Sequence, residues 1–255
     1  MLIVLPPSET KASPPPGESL DLESLAFPGL APQRKRVLTA LVRLCRADEA
    51  TAMTALGLGV RQAGEVAVNA RLRNAPAAPA IEVYTGVLYE ALDAGSLTAT
   101  QRRRLDSMVA ICSALFGLLR PQDRIPAYRL NPDAELPGLA SLAQAWRPSV
   151  SLALEQASGL VWDLRSVAYV ALGPPPNRSS TVTSRILLQR GGKRTVVSHH
   201  NPATKGRILR DLAATGGRPR TPTELADTLS RLGYRCELTT DTKGPCRLDV
   251  VVDAV

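Results

Sequence analysis

The sequence predicts a mixed α/β fold, a central mixed β-sheet flanked by helices, and three observations support this class. Short apolar runs typical of buried strands alternate along the 255-residue chain with longer segments of helical periodicity. The hydrophobic content of 44% and the charged content of 21% are ordinary for a globular protein. The chain shows no internal repeat and no linker, so residues 1–255 are predicted to form a single domain.

Apolar spacing predicts the elements of the N-terminal half. Leu2–Leu5 is a buried-type strand, and Arg34–Ala55 is a helix with apolar residues at helical spacing. A second helix is expected from about Val60 to Leu72, and another over Ser96–Leu119, ending before Pro121. The buried face of the first helix is predicted to carry Val37, Leu38, Leu41, Leu44 and Cys45.

The C-terminal half continues the alternation. Ser141–Ser158 is predicted to be a helix that ends at Gly159, because glycine is favoured just past a helix end. Leu160–Trp162 is a short strand. Turn residues and helix caps then predict a hairpin of strands 181–189 and 194–198 around Gly191-Gly192, helices Thr204–Ala214 and Thr223–Leu232, and strands Arg235–Thr239 and Arg247–Val252.

The chain is basic, and its charge is unevenly distributed. The formal net charge is +8, of which residues 181–255 carry +6. A basic region of this kind is typical of a surface that binds nucleic acid or an anionic substrate. A coding bias toward arginine explains the same charge without a ligand, since Arg far outnumbers Lys and both Ala and Pro are abundant.

The chain is expected to be cytoplasmic and to bind no metal or cofactor. The first apolar run is four residues long, too short for a signal peptide, and no run approaches the length of a membrane span. The four cysteines lack metal-ligand spacing. Reduced thiols are expected, although Cys236 and Cys246 flank a turn-rich stretch across which they are able to face each other.

Three predicted strands end at clusters of polar residues. The clusters are Ser8-Glu9-Thr10-Lys11, Asp163-Leu164-Arg165-Ser166 and Ser198-His199-His200-Asn201. Ligands of open α/β sheets bind at the carboxyl ends of strands, where the following loops converge. The sequence therefore predicts one polar, basic cleft at these strand ends.

Four basic or hydroxylated residues of this cleft suit an anion. Ser8 and Lys11 follow the first strand, although a capping serine and a solvated lysine explain them equally well. Lys205 and Arg207 lie near a predicted helix start, where cations and free N–H groups favour an anion. Lys205 is also assigned to the candidate catalytic residues.

The other candidate catalytic residues are Ser166, Tyr169 and His199, which are able to transfer protons at the point where the chain leaves the sheet. Asp163 and Arg165 belong either to the site or to an internal ion pair. The two adjacent histidines alternate in direction along a strand, so a shared metal ion is not expected.

Arg120, Tyr128 and Arg129 form a second candidate anion site. Two guanidinium groups near a phenol suit a carboxylate or phosphate, since the arginine fork matches planar anions. Arg120 is predicted to end a helix, where the macrodipole alone favours a cation.

The segment Gly57-Leu58-Gly59-Val60-Arg61 has the spacing of a helix-hairpin-helix turn. In such a turn, backbone N–H groups at a helix N-terminus hold a nucleic-acid phosphate. Gly57, Gly59 and Arg61 are therefore the candidate nucleic-acid-binding residues, with an ordinary helix–helix turn as the alternative.

Read in order, these segments resemble one known family. They are Leu5-Pro6-Pro7-Ser8-Glu9-Thr10-Lys11, Tyr84-Thr85-Gly86-Val87-Leu88-Tyr89, Ser113-Ala114-Leu115-Phe116-Gly117 with Arg120, Ile125-Pro126-Ala127-Tyr128-Arg129-Leu130, Asp163-Leu164-Arg165-Ser166 with Tyr169, and Lys205-Gly206-Arg207. Together they resemble the YaaA family of peroxide-stress proteins, in an actinobacterial form. The resemblance implies a mixed α/β fold with a positively charged cleft, DNA binding, and protection against damage by peroxide and iron.

Two functions remain open at this point. The first is a DNA-binding stress protein that uses a basic cleft. The second is an enzyme acting on a small anionic metabolite, nucleotide-like or carboxylated, held in the same cleft. The chain departs from the family pattern at His200-Asn201-Pro202, where Phe-Asn-Lys is expected, and at Val167, where Gly is usual. These departures favour a specialised pocket.

Overall fold

A computed structural model describes residues 1–190, 193–196 and 201–252, and it confirms the mixed α/β class. The strands are β1 Leu2–Leu5, β2 Ala78–Pro79, β3 Val109–Ser113, β4 Gly117–Leu119, β5 Arg124–Ile125, β6 Val161–Asp163, β7 Thr181–Arg190, β8 Lys193–Val196, β9 Arg235–Thr239 and β10 Cys246–Val252. The α-helices are α1 Ala31–Ala47, α2 Glu49–Leu56, α3 Gly64–Ala70, α4 Ala80–Val83, α5 Val87–Leu92, α6 Ala99–Met108, α7 Leu142–Glu155, α8 Val167–Val170, α9 Asn201–Thr215 and α10 Pro222–Arg231.

The main sheet has the order β4-β3-β1-β6-β7-β10-β9, with β8 paired to β7. Its five central strands, from β3 to β10, run parallel, while β4 and β9 are antiparallel edges. The central strands β1, β3 and β6 are buried on both faces, which explains their continuous apolar runs. The carboxyl ends of β1, β3 and β6 therefore meet at one edge of the sheet.

Strand β8 returns the chain toward this edge. Because β10 pairs with β7 along residues 182–188, β8 must pair with the opposite side of β7, the side that β6 occupies at residues 181–183. It thus lies beyond the carboxyl end of β6, and α9 follows it. The predicted hairpin strands are confirmed up to residue 196. Gly191-Gly192, residue 197 and the polar cluster residues Ser198, His199 and His200 lie outside the described residues.

The predicted helix over Ser96–Leu119 is wrong. Helix α6 ends at Met108, and residues 109–113 form β3, the inner neighbour of β1. An uninterrupted apolar run fits a buried strand and a buried helix equally well, so periodicity does not separate them. Arg120 consequently follows strand β4 rather than a helix.

The predicted helix Arg34–Ala55 is two helices. Asp48 interrupts it, and its carboxylate accepts a hydrogen bond from the Thr51 N–H as the cap of α2. The buried face assigned to the first helix is confirmed. Arg34 is also buried there, where its guanidinium donates to the carbonyl oxygens of Phe116 and Leu118.

The C-terminal helices and strands are confirmed within a few residues of their predicted bounds. Helix α7 covers Leu142–Glu155, and the Thr221 hydroxyl caps α10 by accepting from the Glu224 N–H. Cys236 and Cys246 are free thiols, since Cys236 lies opposite Val250 in the β9–β10 pair. No helix within the described ranges is long and apolar enough to cross a membrane.

Helices α5 and α9 pack in close contact because Gly206 has no side chain. A Cβ atom at this position would overlap the Leu88 carbonyl oxygen and lie 2.9 Å from both Ala91 Cβ and Leu92 N. The backbones of the two helices therefore approach directly. This contact fixes where α9 presents Lys205, the residue before the glycine.

The substitution Gly206→Ala is expected to lower the free energy of unfolding by roughly 1–3 kcal/mol, because overpacking exceeds the gain of about 1 kcal/mol in helix propensity. Urea denaturation measures the change. Gly64→Ala is the matched control, since α3 begins at Gly64 and no atom lies within 4 Å of the added Cβ. Equal stability of Gly206→Ala and the wild type would show that the contact is loose.

Candidate functional site

A cavity of about 660 Å³ opens at the carboxyl ends of β1 and β6, and we call it the strand-end cavity. Its walls come from the loop after β1, the first turn of α5, the turn after β6, strand β7 and the start of α9. The lining residues are Pro6, Pro7, Ser8, Glu9, Thr10, Thr85, Gly86, Val87, Leu88, Tyr89, Arg165, Ser166, Val167, Tyr169, Ser184, Pro202 and Lys205. Segments distant in sequence thus meet at the edge that open α/β sheets use for ligands.

A buried ion pair fixes the turn after β6. The Arg165 guanidinium donates through Nε to Asp163 Oδ1 at 2.9 Å and through a terminal nitrogen to Oδ2 at 2.6 Å. Both side chains are almost fully buried, at 0% and 2% exposure. The internal ion-pair interpretation of these two residues is therefore confirmed. Arg165 also donates to the Tyr169 carbonyl oxygen, which ties the pair to α8.

Lys205 enters the cavity from α9. Its ammonium group donates to the Leu164 carbonyl oxygen at 2.8 Å, and the residue is 8% exposed. Burial lowers the pKa of Lys205 to about 8, although the Asp163 carboxylate acts in the opposite direction. Since that carboxylate is already held by Arg165, Lys205 has no acidic partner of its own among the described residues.

Three hydroxyl groups form a cluster on the opposite wall. The Thr85 hydroxyl donates to Thr10 Oγ1 at 3.0 Å, and Thr10 Oγ1 lies 3.2 Å from Ser8 Oγ. Gly86 makes this approach possible, because its φ of +92° disfavours other residues and a Cβ there would lie 2.8 Å from Ser8 Oγ. Since two of the three hydroxyl protons are used within the cluster, it offers one donor and several acceptors to a polar ligand.

Ser166 and Tyr169 both line the cavity, as does Lys205. Neither the Ser166 hydroxyl nor the Tyr169 phenol has a hydrogen-bond partner in the described ranges, so both are available to a ligand. Burial raises the pKa of Tyr169 well above its usual value, and the phenol therefore keeps its proton at neutral pH. The mouth beside them is apolar, because the lining residues Val87 and Val167 are 52% and 89% exposed.

Lys11 is next to the cavity but does not line it. Its ammonium group donates to the Ser8 and Glu9 carbonyl oxygens and lies 4.3 Å from the centre of the Tyr128 ring. Burial, and then the charge of Arg129, lower the pKa of Lys11 to about 7. The residue therefore organises the loop after β1.

The structure does not bring the second candidate anion site together. The Tyr128 phenol is buried, at 2.8 Å from the Tyr84 phenol and 2.7 Å from Ser113 Oγ. The Arg120 guanidinium donates to the Val109 carbonyl oxygen. Arg129 forms an ion pair of 2.9 Å with Glu9.

Arg207 and His199 are the remaining candidates of the predicted cleft. Arg207 is exposed and does not line the cavity. His199 lies outside the described residues. In the described part of the chain, no group of acidic, histidine or cysteine residues is arranged to hold a metal ion.

The candidate helix-hairpin-helix turn connects α2 to α3. Gly57 adopts a left-handed conformation with φ of +62°, and the Gly59 N–H donates to Gln62 Oε1. The N–H groups of Val60 and Arg61 have no acceptor within the described residues, and Arg61 is exposed. An anion at this turn would therefore accept hydrogen bonds from the N–H groups of Val60 and Arg61 rather than from those of Gly57 and Gly59.

A groove of arginines that sequence analysis did not identify lies along helix α1. Helix α1 contacts both α2 and α3, and the groove is lined by Thr39, Val42, Arg43, Arg46, Ala47 and Arg73. We call it the arginine groove. Arg46 Nε donates to the Ala70 carbonyl oxygen, and Arg73 donates to Thr39 Oγ1, so both side chains are held in place.

Sequence signals for two of the missed features do exist. Arg36 and Arg43 are seven residues apart on the outer face of α1, with Arg46 one turn further along, which marks one basic helix face. Gly206 inside a predicted helix is unfavourable by about 1 kcal/mol unless close packing requires it. The tertiary contact with Arg73 has no such local signal.

The pKa of Lys11 predicts a specific pH dependence of stability. The unfolded lysine keeps its proton up to about pH 10.4, whereas the folded one releases it near pH 7. Between these values the unfolded state binds more protons, so stability rises with pH. The free energy of unfolding of the wild type, relative to that of Lys11→Met, should rise by about 2 kcal/mol between pH 6.5 and 8.5. Urea denaturation across this range measures it, and a constant gap would contradict the assignment.

Comparison with known proteins supports the family resemblance. Residues 1–239 match the family model described as peroxide stress protein YaaA. A UPF0246 protein of Streptomyces coelicolor is 46% identical over 259 residues, which cover 100% of both chains. A UPF0246 protein of Corynebacterium efficiens is 40% identical over 243 residues, which cover 93% of this chain and 95% of the relative.

More distant relatives share part of this length. A UPF0246 protein of Lactobacillus delbrueckii subsp. bulgaricus is 33% identical over 145 residues, which cover 55% of this chain and 59% of the relative. The family model spans every segment that builds the strand-end cavity and the arginine groove. The chain belongs to the YaaA family of peroxide stress proteins.

Proposed function

We propose that this chain is a DNA-binding peroxide-stress protein whose arginine groove holds the phosphate backbone of duplex DNA. The observation that carries the proposal is the groove itself, in which the side chains of Arg43, Arg46 and Arg73 converge on one surface. The description of the matching family as peroxide stress proteins supports the biological role.

The charge of the groove is not neutralised by the chain. In the described residues, none of its three arginines forms an ion pair, whereas Arg129, Arg165 and several arginines of the sheet pair with carboxylates. Positive charge without an internal partner is what phosphate contacts require, because binding releases counterions from the DNA. Arg36 and Arg71 are exposed beside the groove and extend its charge.

The turn between α2 and α3 supplies a second type of contact. The unpaired N–H groups of Val60 and Arg61 and the exposed Arg61 side chain suit a single phosphate. These contacts carry no base information, so binding is expected to be independent of sequence. Gly57 and Gly59 shape the turn rather than touch the phosphate.

The proposed interface predicts a steep salt dependence of DNA binding that the groove controls. The triple variant Arg43→Gln/Arg46→Gln/Arg73→Gln should flatten the slope of log K against log salt by about 2 to 3, since each phosphate contact contributes about 0.9. Fluorescence anisotropy with a duplex oligonucleotide between 50 and 200 mM salt measures both slopes.

The matched control removes three exposed arginines from α6 and the C-terminal region: Arg103→Gln/Arg220→Gln/Arg231→Gln. It changes the net charge by the same amount and should leave the slope almost unchanged. Equal slopes for the two triple variants would mean that net charge alone binds DNA. A wild type that does not bind DNA, or binds it independently of salt, would end the proposal.

A second candidate function is favoured by the strand-end cavity. A volume of about 660 Å³ with a buried amine, a cluster of hydroxyls and an apolar mouth is typical of a small-molecule site. DNA binding through an exposed groove uses none of these features. The second candidate is an enzyme acting on a small anionic metabolite, with Ser166, Tyr169 and Lys205 at the ligand.

A further inference from the structure

We propose that the strand-end cavity takes a small 2-oxo acid and that Lys205 Nζ binds its carbonyl carbon as an imine. This inference rests on the second candidate function and assigns a substrate class and a bond to it. Two features carry it: a buried amine that has no carboxylate partner among the described residues, and a hydroxyl cluster on the same cavity.

The amine has the properties of a nucleophile. Lys205 is 8% exposed and has a single hydrogen-bond acceptor, the Leu164 carbonyl oxygen, among the described residues. A lone pair on nitrogen is required for attack on a carbonyl. The lowered pKa of about 8 supports this, because roughly a tenth of Lys205 is then neutral at pH 7, against well under about a thousandth of an exposed lysine.

Lys11 does not compete for this role, although its pKa is also lowered. Its ammonium group is held by two carbonyl oxygens and lies over the Tyr128 ring. It does not line the cavity, whereas Lys205 does.

The remaining polar groups of the cavity match the rest of a 2-oxo acid. The Thr85 hydroxyl donates to Thr10 Oγ1 at 3.0 Å, and Thr10 Oγ1 lies 3.2 Å from Ser8 Oγ beside Gly86. Since each hydroxyl has one proton, the Ser8–Thr10 pair keeps one proton to donate to a carboxylate. The Tyr169 phenol keeps its proton and lines the same space, so it suits the carbonyl oxygen as a donor. The exposed Val87 and Val167 at the mouth suit an apolar substituent.

The step conserves atoms and charge. The nitrogen lone pair of neutral Lys205 forms a bond to the carbonyl carbon, and the π electrons move to oxygen. The oxygen takes up the proton that the nitrogen then loses, which gives a neutral carbinolamine with a new lone pair on nitrogen. The hydroxyl group takes up one further proton from solvent and leaves as water while this lone pair forms the C=N bond. The product is an iminium ion that hydrolysis reverses, and no oxidant or reductant takes part.

The full chain is treated with glyoxylate and sodium cyanoborohydride, which reduces an imine to a stable carboxymethyl amine, and labelled lysines are located by peptide mass spectrometry. Only five lysines are present, at positions 11, 35, 193, 205 and 243. At pH 7.5 Lys205 is expected to react at least about tenfold faster than the exposed Lys35, because a larger fraction of it is neutral. Its labelling rate should level off above pH 8, a range in which an exposed lysine with the ordinary pKa of about 10.4 still gains neutral amine.

Two comparisons separate a built site from a merely reactive amine. Glycolaldehyde has the same aldehyde without the carboxylate, and it should label Lys205 more slowly than glyoxylate. Lys205→Arg should abolish the faster component of glyoxylate labelling, while the matched control Lys35→Arg should leave this component unchanged. If Lys205→Arg fails to fold, peptide mass spectrometry of the labelled wild type tests the proposal by itself.

The inference is overturned if glyoxylate labels the exposed lysines and the folded wild type leaves Lys205 unmodified, or if Lys205 labelling follows the pH profile of Lys35. Glycolate, which has the carboxylate but no carbonyl, tests the second candidate function separately. If glycolate raises the melting temperature but glyoxylate forms no adduct with Lys205, the cavity binds an anion and the imine is rejected.

Discussion

The buried pair between Asp163 and Arg165 is the interaction on which the strand-end cavity depends. It forms within three residues of the chain, so the turn after β6 has one compact conformation. The Arg165 N–H also donates to Asp163 Oδ1, and the guanidinium reaches the Tyr169 carbonyl oxygen. Removing one partner leaves an uncompensated buried charge, a change that costs about 3–5 kcal/mol in proteins.

The position of the other cavity residues follows from this turn. Leu164 is buried in the core, and its carbonyl oxygen accepts the hydrogen bond from Lys205. Gly206 then brings α9 against α5, and Gly86 at the start of α5 brings the hydroxyls of the opposite wall together. A short-range ion pair and two glycines thus join three distant segments into one cavity.

The structure assigns positive charge to two places with different chemistry. In the cavity, the Asp163 carboxylate neutralises Arg165, and burial lowers the pKa of Lys205 to about 8. This space therefore suits a small ligand better than a polyanion. The arginine groove is exposed and without ion pairs in the described residues, which suits phosphates held at the surface. The two proposed functions are therefore compatible on one chain, since the proposed sites consist of different residues.

The sequence predicts the fold where a local signal is unambiguous. The amphipathic face of α1, the cap of α10 and the β9–β10 pair follow from periodicity and turn chemistry. The sequence does not predict β3, because this strand is buried on both faces and shows no alternation of apolar and polar residues. The polar ends of β1 and β6 were predictable from residue type, whereas the burial of Tyr128 and the Arg73 contact with α1 depend on tertiary packing.

The proposed phosphate contacts would also connect DNA binding to peroxide stress. DNA holds cations as counterions, and a protein that binds its phosphates releases them. If ferrous ions are among the released cations, they reduce peroxide further from the backbone. The most direct measurement is the nicking of supercoiled plasmid by ferrous iron and peroxide. The wild type and the Arg103/Arg220/Arg231 control are expected to slow nicking, and the Arg43/Arg46/Arg73 variant is expected not to slow it. Equal protection by all three would contradict the proposed DNA interface.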